Sequence, residues 1–205
     1  MYQEAFKKLD DKETAELLTR FNPLFDGVEF TPLDTTIMAQ DISFYDGYRY
    51  LDITDDSIQP STQRFAIDGG QGREVVLDWS NAPIYALNKS APLILNDETA
   101  PDYVRFFFNH VRGEKGRMLI AENVDDIRWK DDPPPEARKN LAKMLIPLSV
   151  KEITKAGSFI LPATIMFKDS LFQCEITIAN NGEITIANEH LLVEDIPVLD
   201  DALGQ

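Results

Sequence analysis

The chain has 205 residues, 43% hydrophobic, 10% aromatic and 27% charged, a balance close to that of globular proteins and unlike that of a disordered chain. Its net charge of -15 disfavours duplex nucleic acid as a partner, because that affinity rests on lysines and arginines neutralising phosphates. Apolar runs fall far short of the roughly 20 residues that cross a bilayer, which excludes membrane spanning. The single cysteine, Cys174, makes no intramolecular disulfide, and no early tract resembles a secretion signal. A cytoplasmic location is expected.

The charge is uneven. Between Tyr103 and Lys155 there are 11 Lys and Arg against 8 Asp and Glu, a local excess of positive charge in an acidic chain. An acidic remainder of this kind serves mainly solubility, though it also orients charged partners.

In chain order, Asp10 or Asp11 caps a first helix whose apolar side is Ala15, Leu17, Leu18 and Phe21, and Pro23 stops it. From 28 to 96 the texture is that of short strands and turns. Residues 44–50 form a hairpin on the Asp46-Gly47 pair, which suits a type I′ turn. A second hairpin joins 64–68 to 73–79 through Gly69-Gly70-Gln71-Gly72.

Thr99 caps the most strongly marked helix, with Pro101 in its first turn and Gly113 at its end. Tyr103, Val104, Phe107, Phe108 and Val111 make its buried stripe, and Arg105, Asn109 and Arg112 its wet face. A strand at 117–122 follows. A third helix runs over 134–146 with Ala137, Leu141, Met144 and Leu145 inward, and Pro147 disfavours helix at Ile146. The last third is a meander of strands at Phe159–Phe167, 171–179 and 183–187, with Asn181-Gly182 at the second turn.

The fold class expected is α+β: a mainly antiparallel sheet, curved or in two layers, with about three helices. It is read as one globular domain over 1–205, with the helical segment 1–22 and the acidic tail 195–205 as peripheral parts. An internal echo links residues 42–47 and 52–54 to residues 165–170 and 175–177; both stretches read as hairpins.

Motifs for chemistry are sparse. Gly69-Gly70-Gln71 resembles the tripeptide of peptide-chain release factors, but over three residues only. Asp68 and Glu74 beside it make it a turn, since glycine supplies the positive φ angles of a hairpin loop. No nucleotide-binding glycine loop, nucleophile elbow or EF-hand spacing is present. His110 and His190 stand outside any metal-ligand pattern, and no cofactor is expected. Cys174 alternates with Phe172, Ile176 and Ile178 and reads as a core thiol. Asp125-Asp126 reads as an acidic turn start, and residues 52–57 as a strand end entering a turn.

The candidate binding residues are Arg105, His110, Arg112, Arg117 and Trp129: guanidinium forks that suit carboxylate or phosphate, an imidazole whose ordinary pKa suits proton transfer, and an aromatic platform. The default reading is a non-enzymatic binding or interaction protein, with a protein partner or a second copy. Its alternative is a small-molecule enzyme or ligand-binding protein with a pocket between sheet and helices and an anionic ligand. A basic protein is a third class of partner.

Overall fold

The computed structural model describes residues 6–57 and 61–199. Its class is α+β, with two antiparallel sheets and four α-helices among the described residues. The chain divides into two compact units, one within 6–78 and Ala82–Ile94, the other within Trp79–Asn81 and 95–199.

In the first unit, β1 (Lys7–Lys8) leads into α1 (Asp11–Phe21). The Asp10 carboxylate accepts the Glu13 N–H at 2.9 Å, Asp11 and Glu13 sit in the first turn and Arg20 in the last, so cap and charges agree with the helix dipole. Thr14, Leu17, Leu18 and Phe21 are buried, the i, i+3, i+4, i+7 spacing of one helix face. That face packs with Ile37, Ala39, Leu51, Ile53 and Ala66 of a sheet ordered β1-β2-β3-β4-β5, formed by β2 (Thr35–Asp41), β3 (Arg49–Asp55), β4 (Thr62–Asp68) and β5 (Glu74–Leu77). Pairings of Ile37 with Ile53 and Leu51 with Ala66 keep the buried residues in one row.

The 69–73 connection between β4 and β5 takes the expected turn, with Gly70 and Gly72 at positive φ and the Gly69 N–H on the Arg73 carbonyl. The hairpin at 44–50 is corrected: its strands stop at Asp41 and Arg49, seven residues join them, and only Gly47 has positive φ, so no type I′ turn forms. Phe44 and Tyr45 are fully buried, and their burial draws the loop inward.

A helix the sequence reading missed, α2 (Ala82–Ser90), follows and buries Ile84 and Leu87. Its end runs back onto the same loop, where the Ile94 N–H bonds the Phe44 carbonyl at 3.0 Å.

In the second unit, α3 (Thr99–His110) is started by Asn96, whose side chain accepts the Glu98 and Thr99 N–H groups at 2.8 and 3.0 Å, and Thr99 is not its cap. It ends at His110 rather than Gly113, with Val111 already extended. Phe107 and Phe108 are buried as expected; Phe106 and His110 are buried too, while Val111, Arg105 and Arg112 are half-buried. The wet strip is therefore narrow, centred on Asn109.

After β6 (Met118–Ile120), α4 (Pro135–Ala142) is shorter than expected and buries Leu141, with Leu145 just beyond it, whereas Ala137 and Met144 are exposed. The chain leaves the helix because Thr164 and Glu122 take the Ile146 and Leu148 N–H groups. Then come β7 (Glu152–Ile153), β8 (Phe159–Phe167), β9 (Ser170–Ile178) and β10 (Ile184–Val193), in a sheet ordered β10-β9-β8-β6 with β7 also on β8. Asn181 lacks positive φ and Gly182 has it, the pattern of a three-residue loop closed by glycine. β10 outruns the strand expected at 183–187, and its register shifts twice, between Ala187 and His190 and between Leu191 and Val193. Of the acidic tail, Ile196 and Val198 join a core cluster with Met166 and Leu171; residues 200–205 lie outside the described residues.

The internal echo falls on matching places. Residues 42–47 and 165–170 lie where the first meander strand of each unit turns into the second. Ile53 of β3 pairs with Ile37, Ile176 of β9 pairs with Leu161, and all four are fully buried.

Replacing Phe108, 5% exposed, by Ala is expected to cost about 3–5 kcal/mol. Urea denaturation followed by circular dichroism checks it; an unchanged midpoint contradicts the packing assigned to α3.

Candidate functional site

The first unit carries a cleft of about 630 Å³ lined by Asp41, Ile42, Asp46, Tyr48, Arg49 and Asp68, with Gly69, Gly70 and Ile94 completing its wall. β2 ends at Asp41, the inward-drawn loop supplies Ile42 to Tyr48, and β4 ends at Asp68. Its volume lies in the range of small-molecule sites, roughly 300–1,000 Å³.

The Asp68 side chain is 4% exposed. Arg20 donates to it at 2.8 Å, Arg49 at 3.0 Å and the Gly70 N–H at 2.9 Å. Burial pushes its pKa upward, and the hydrogen bonds from Arg20, Gly70 and Arg49 together outweigh that push and hold it below the ordinary carboxylate value. Arg20 also binds Glu74 at 2.7 Å and Arg49 reaches Glu13 at 3.6 Å. Next to this network Gly69 is obligatory: a Cβ there would lie 2.2 Å from the Tyr48 ring. Arg73 lies over the same ring, its guanidinium carbon 5.2 Å from the centroid.

Asp41 and Asp46 differ from Asp68. Both are exposed, and among the described residues neither carboxylate has a hydrogen-bond or ion-pair partner. Open carboxylates beside Ile42, Ile94 and Tyr48 suit a cation with an apolar body, because such a group gains charge contact and apolar burial together.

The residues singled out from sequence lie in the second unit. Arg105 is a structural tie: it grips Glu122 through two bonds of 2.6 and 2.9 Å and Asp102 through one of 2.8 Å. His110 is buried against Phe106, ring centroids 4.7 Å apart. Burial, then the positive charge of Arg117, pushes its pKa down to about 3, so it is neutral near pH 7 and unsuited to proton transfer there. Arg112 lies over the indole of Trp79, 3.9 Å from the centroid, and Trp79 is 6.4 Å from His110. His110, Arg112 and Arg117 thus share a neighbourhood, while Trp129 does not belong to it: its indole N–H bonds the Val124 carbonyl at 3.2 Å and its ring packs on the Ile127 and Val198 cluster.

Trp79 was missed from sequence. The signal available was an aromatic residue between a strand and the Pro83 helix start; its φ of +68° is not legible in a sequence, and for a bulky residue it stores roughly 1–2 kcal/mol of strain.

Other motifs resolve as structure. Asp126 accepts the Glu122 and Asn123 N–H groups at 2.9 and 2.8 Å, and Asp55 caps its own turn through Ser57. Among the described residues no group of His, Cys, Asp and Glu is arranged to hold a metal ion, and no helix is long and apolar enough to cross a membrane. Comparison with protein-family models, with curated proteins and with solved structures yields no match.

Asp68→Asn is expected to cost roughly 1.5–3 kcal/mol near pH 7, the range for hydrogen bonds to charged groups. Because its folded pKa is depressed, Asp68 contributes stability above the unfolded carboxylate value, lost as the pH falls through the folded one. Denaturation midpoints from pH 7 to pH 2 should therefore fall more steeply for the native protein than for Asp68→Asn; parallel curves contradict the assignment.

Cys174 is 2% exposed, and burial first, with Glu189 and Glu175 adding to it, pushes its thiol up to about 12. It is expected to react with a thiol reagent at neutral pH only after unfolding, as absorbance at matched reagent concentration with and without urea would measure.

Proposed function

We propose that this is a non-enzymatic binding protein, and that the cleft of the first unit takes an organic cation, an ammonium or guanidinium group on an apolar body. The observation that carries the reading is the pair of open carboxylates, Asp41 and Asp46, lining a cleft of mixed polar and apolar wall in which Asp68 is already paired with Arg20 and Arg49. Counted with Glu13, Asp68 and Glu74, five carboxylates face three guanidiniums, those of Arg20, Arg49 and Arg73. The net charge of -15 adds a field that draws cations toward the protein.

A basic segment of another protein is one source of such a group, in keeping with the reading as an interaction protein. Duplex nucleic acid is not among the partners proposed, and a cytoplasmic location belongs to the same proposal. Support for binding over catalysis comes from the groups themselves: His110 is held neutral and Cys174 protonated.

The test is calorimetric titration of the full chain with choline and with N-acetyl-arginine amide, and with glutarate as the anionic control. Saturable binding of either cation, absent for glutarate and lost in an Asp41→Asn/Asp46→Asn variant of unchanged melting temperature, is the expected result. Cation binding that survives the double variant, or none at all, overturns the assignment of the cleft.

A further inference from the structure

The ion pairs around the cleft are unevenly shared. Arg20 takes both Asp68 and Glu74, at 2.8 and 2.7 Å, while Arg49 takes Asp68 at 3.0 Å and reaches Glu13 at 3.6 Å. Arg73 follows the loop that leaves Asp68 and directly precedes Glu74. It pairs with neither, since both are already held by arginines of α1 and β3. Among the described residues the Arg73 guanidinium has no carboxylate partner, and its side chain is exposed.

Its place is nonetheless defined. The guanidinium carbon lies 5.2 Å from the centroid of the Tyr48 ring, inside the roughly 6 Å reach of cation–π attraction. Its Nη2 stands 3.4 Å from the position a Cβ on Gly70 would take. Tyr48 and Gly70 both line the cleft, so Arg73 stands at its border. The charges there fall into two groups. Asp68, Glu74, Glu13, Arg20 and Arg49 satisfy one another, whereas Asp41, Asp46 and Arg73 are exposed and uncommitted among the described residues.

We infer that the ligand of this cleft is a zwitterion, a basic amino acid with its α-carboxylate free, its positive charge held by Asp41 and Asp46 and its carboxylate by Arg73. The inference rests on the cation reading above and supplies the other half of the ligand. Two carboxylates and one guanidinium complement two positive charges and one negative, the charges of free arginine or lysine near neutral pH. A guanidinium also suits a carboxylate, which it meets through two N–H bonds at once. A simple anion is a poorer fit. It would reach Arg73 only by approaching Asp41 and Asp46, against the field of a chain of net charge -15. A ligand that brings its own cation removes that repulsion. The same chemistry is offered by a free amino acid and by the last residue of a chain.

The test is calorimetric titration of the full chain with two ligands that differ only at the carboxylate, N-acetyl-arginine and N-acetyl-arginine amide. The field of the protein favours the amide, which carries the larger positive charge; Arg73 favours the acid. The expected result is that the acid binds about tenfold tighter, the scale of one hydrogen-bonded charge pair. That preference is expected to vanish in Arg73→Gln and to survive in part in Arg73→Lys, which keeps the charge and loses the fork. The order of the two ligands on the native protein decides the question even if a variant proves unstable by its melting temperature. Free arginine, which adds an α-ammonium, is expected to bind tighter still and so to assign a free amino acid; binding no tighter than N-acetyl-arginine assigns the last residue of a chain. An amide that binds as well as the acid, or a preference that persists in Arg73→Gln, overturns the inference and leaves the cation reading standing. Binding of neither ligand overturns both.

Discussion

A carboxylate shut away from water is tolerated only where donors surround it, and in the first unit Asp68 sets that condition. Its three donors come from three places: the last turn of α1, the first residue of β3 and the loop after β4. Satisfying the charge therefore fixes the helix against the sheet and the glycine loop against both. Once that loop is fixed, Gly69 lies against the Tyr48 ring, and the ring in turn walls the cleft. Helix register, loop path and cleft shape descend from one buried charge.

Legibility in the sequence tracked how many neighbours shape each element. Strands β8 and β9 were read to within a residue: β8 is a short, nearly continuous apolar run, and β9 alternates because one of its faces is the wetter. The Asp10 cap of α1 was legible for the same reason: it is a local bond between residues three apart. Where long-range packing decided, the reading slipped. Asp46-Gly47 has the composition of a tight turn, yet burial of Phe44 and Tyr45 overrode it. The nine residues of α2 show too little periodicity in a stretch of strand-like texture, and α3 has a narrower wet face than its charges imply because Arg105 leans onto Glu122.

The candidate residues show the same division. Arginine and histidine were chosen for what their side chains can do, but whether a guanidinium is engaged depends on residues distant in sequence: Glu122 is 17 positions from Arg105. Three of the five named residues do share a neighbourhood, beside a tryptophan whose left-handed backbone angle no sequence shows. The cleft carboxylates Asp41 and Asp46 left no trace as a motif, since a loop of seven residues and the end of another strand bring the walls together. The echo between the halves falls on corresponding places, since β3 and β9 each lie between two antiparallel neighbours and Ile53 and Ile176 each pair with a buried residue.

β10 lies at the outer end of its sheet, where a regular strand would offer a row of main-chain groups to any extended chain it met. Its two register shifts, the first at the left-handed Asn188, break that row after Ala187, and Glu189, Glu194 and Asp195 crowd the remainder with like charge. A neighbouring molecule brought alongside finds no more than four residues in regular spacing before the ladder loses step. At high concentration the protein is thereby guarded against growing, strand upon strand, into fibrous aggregate.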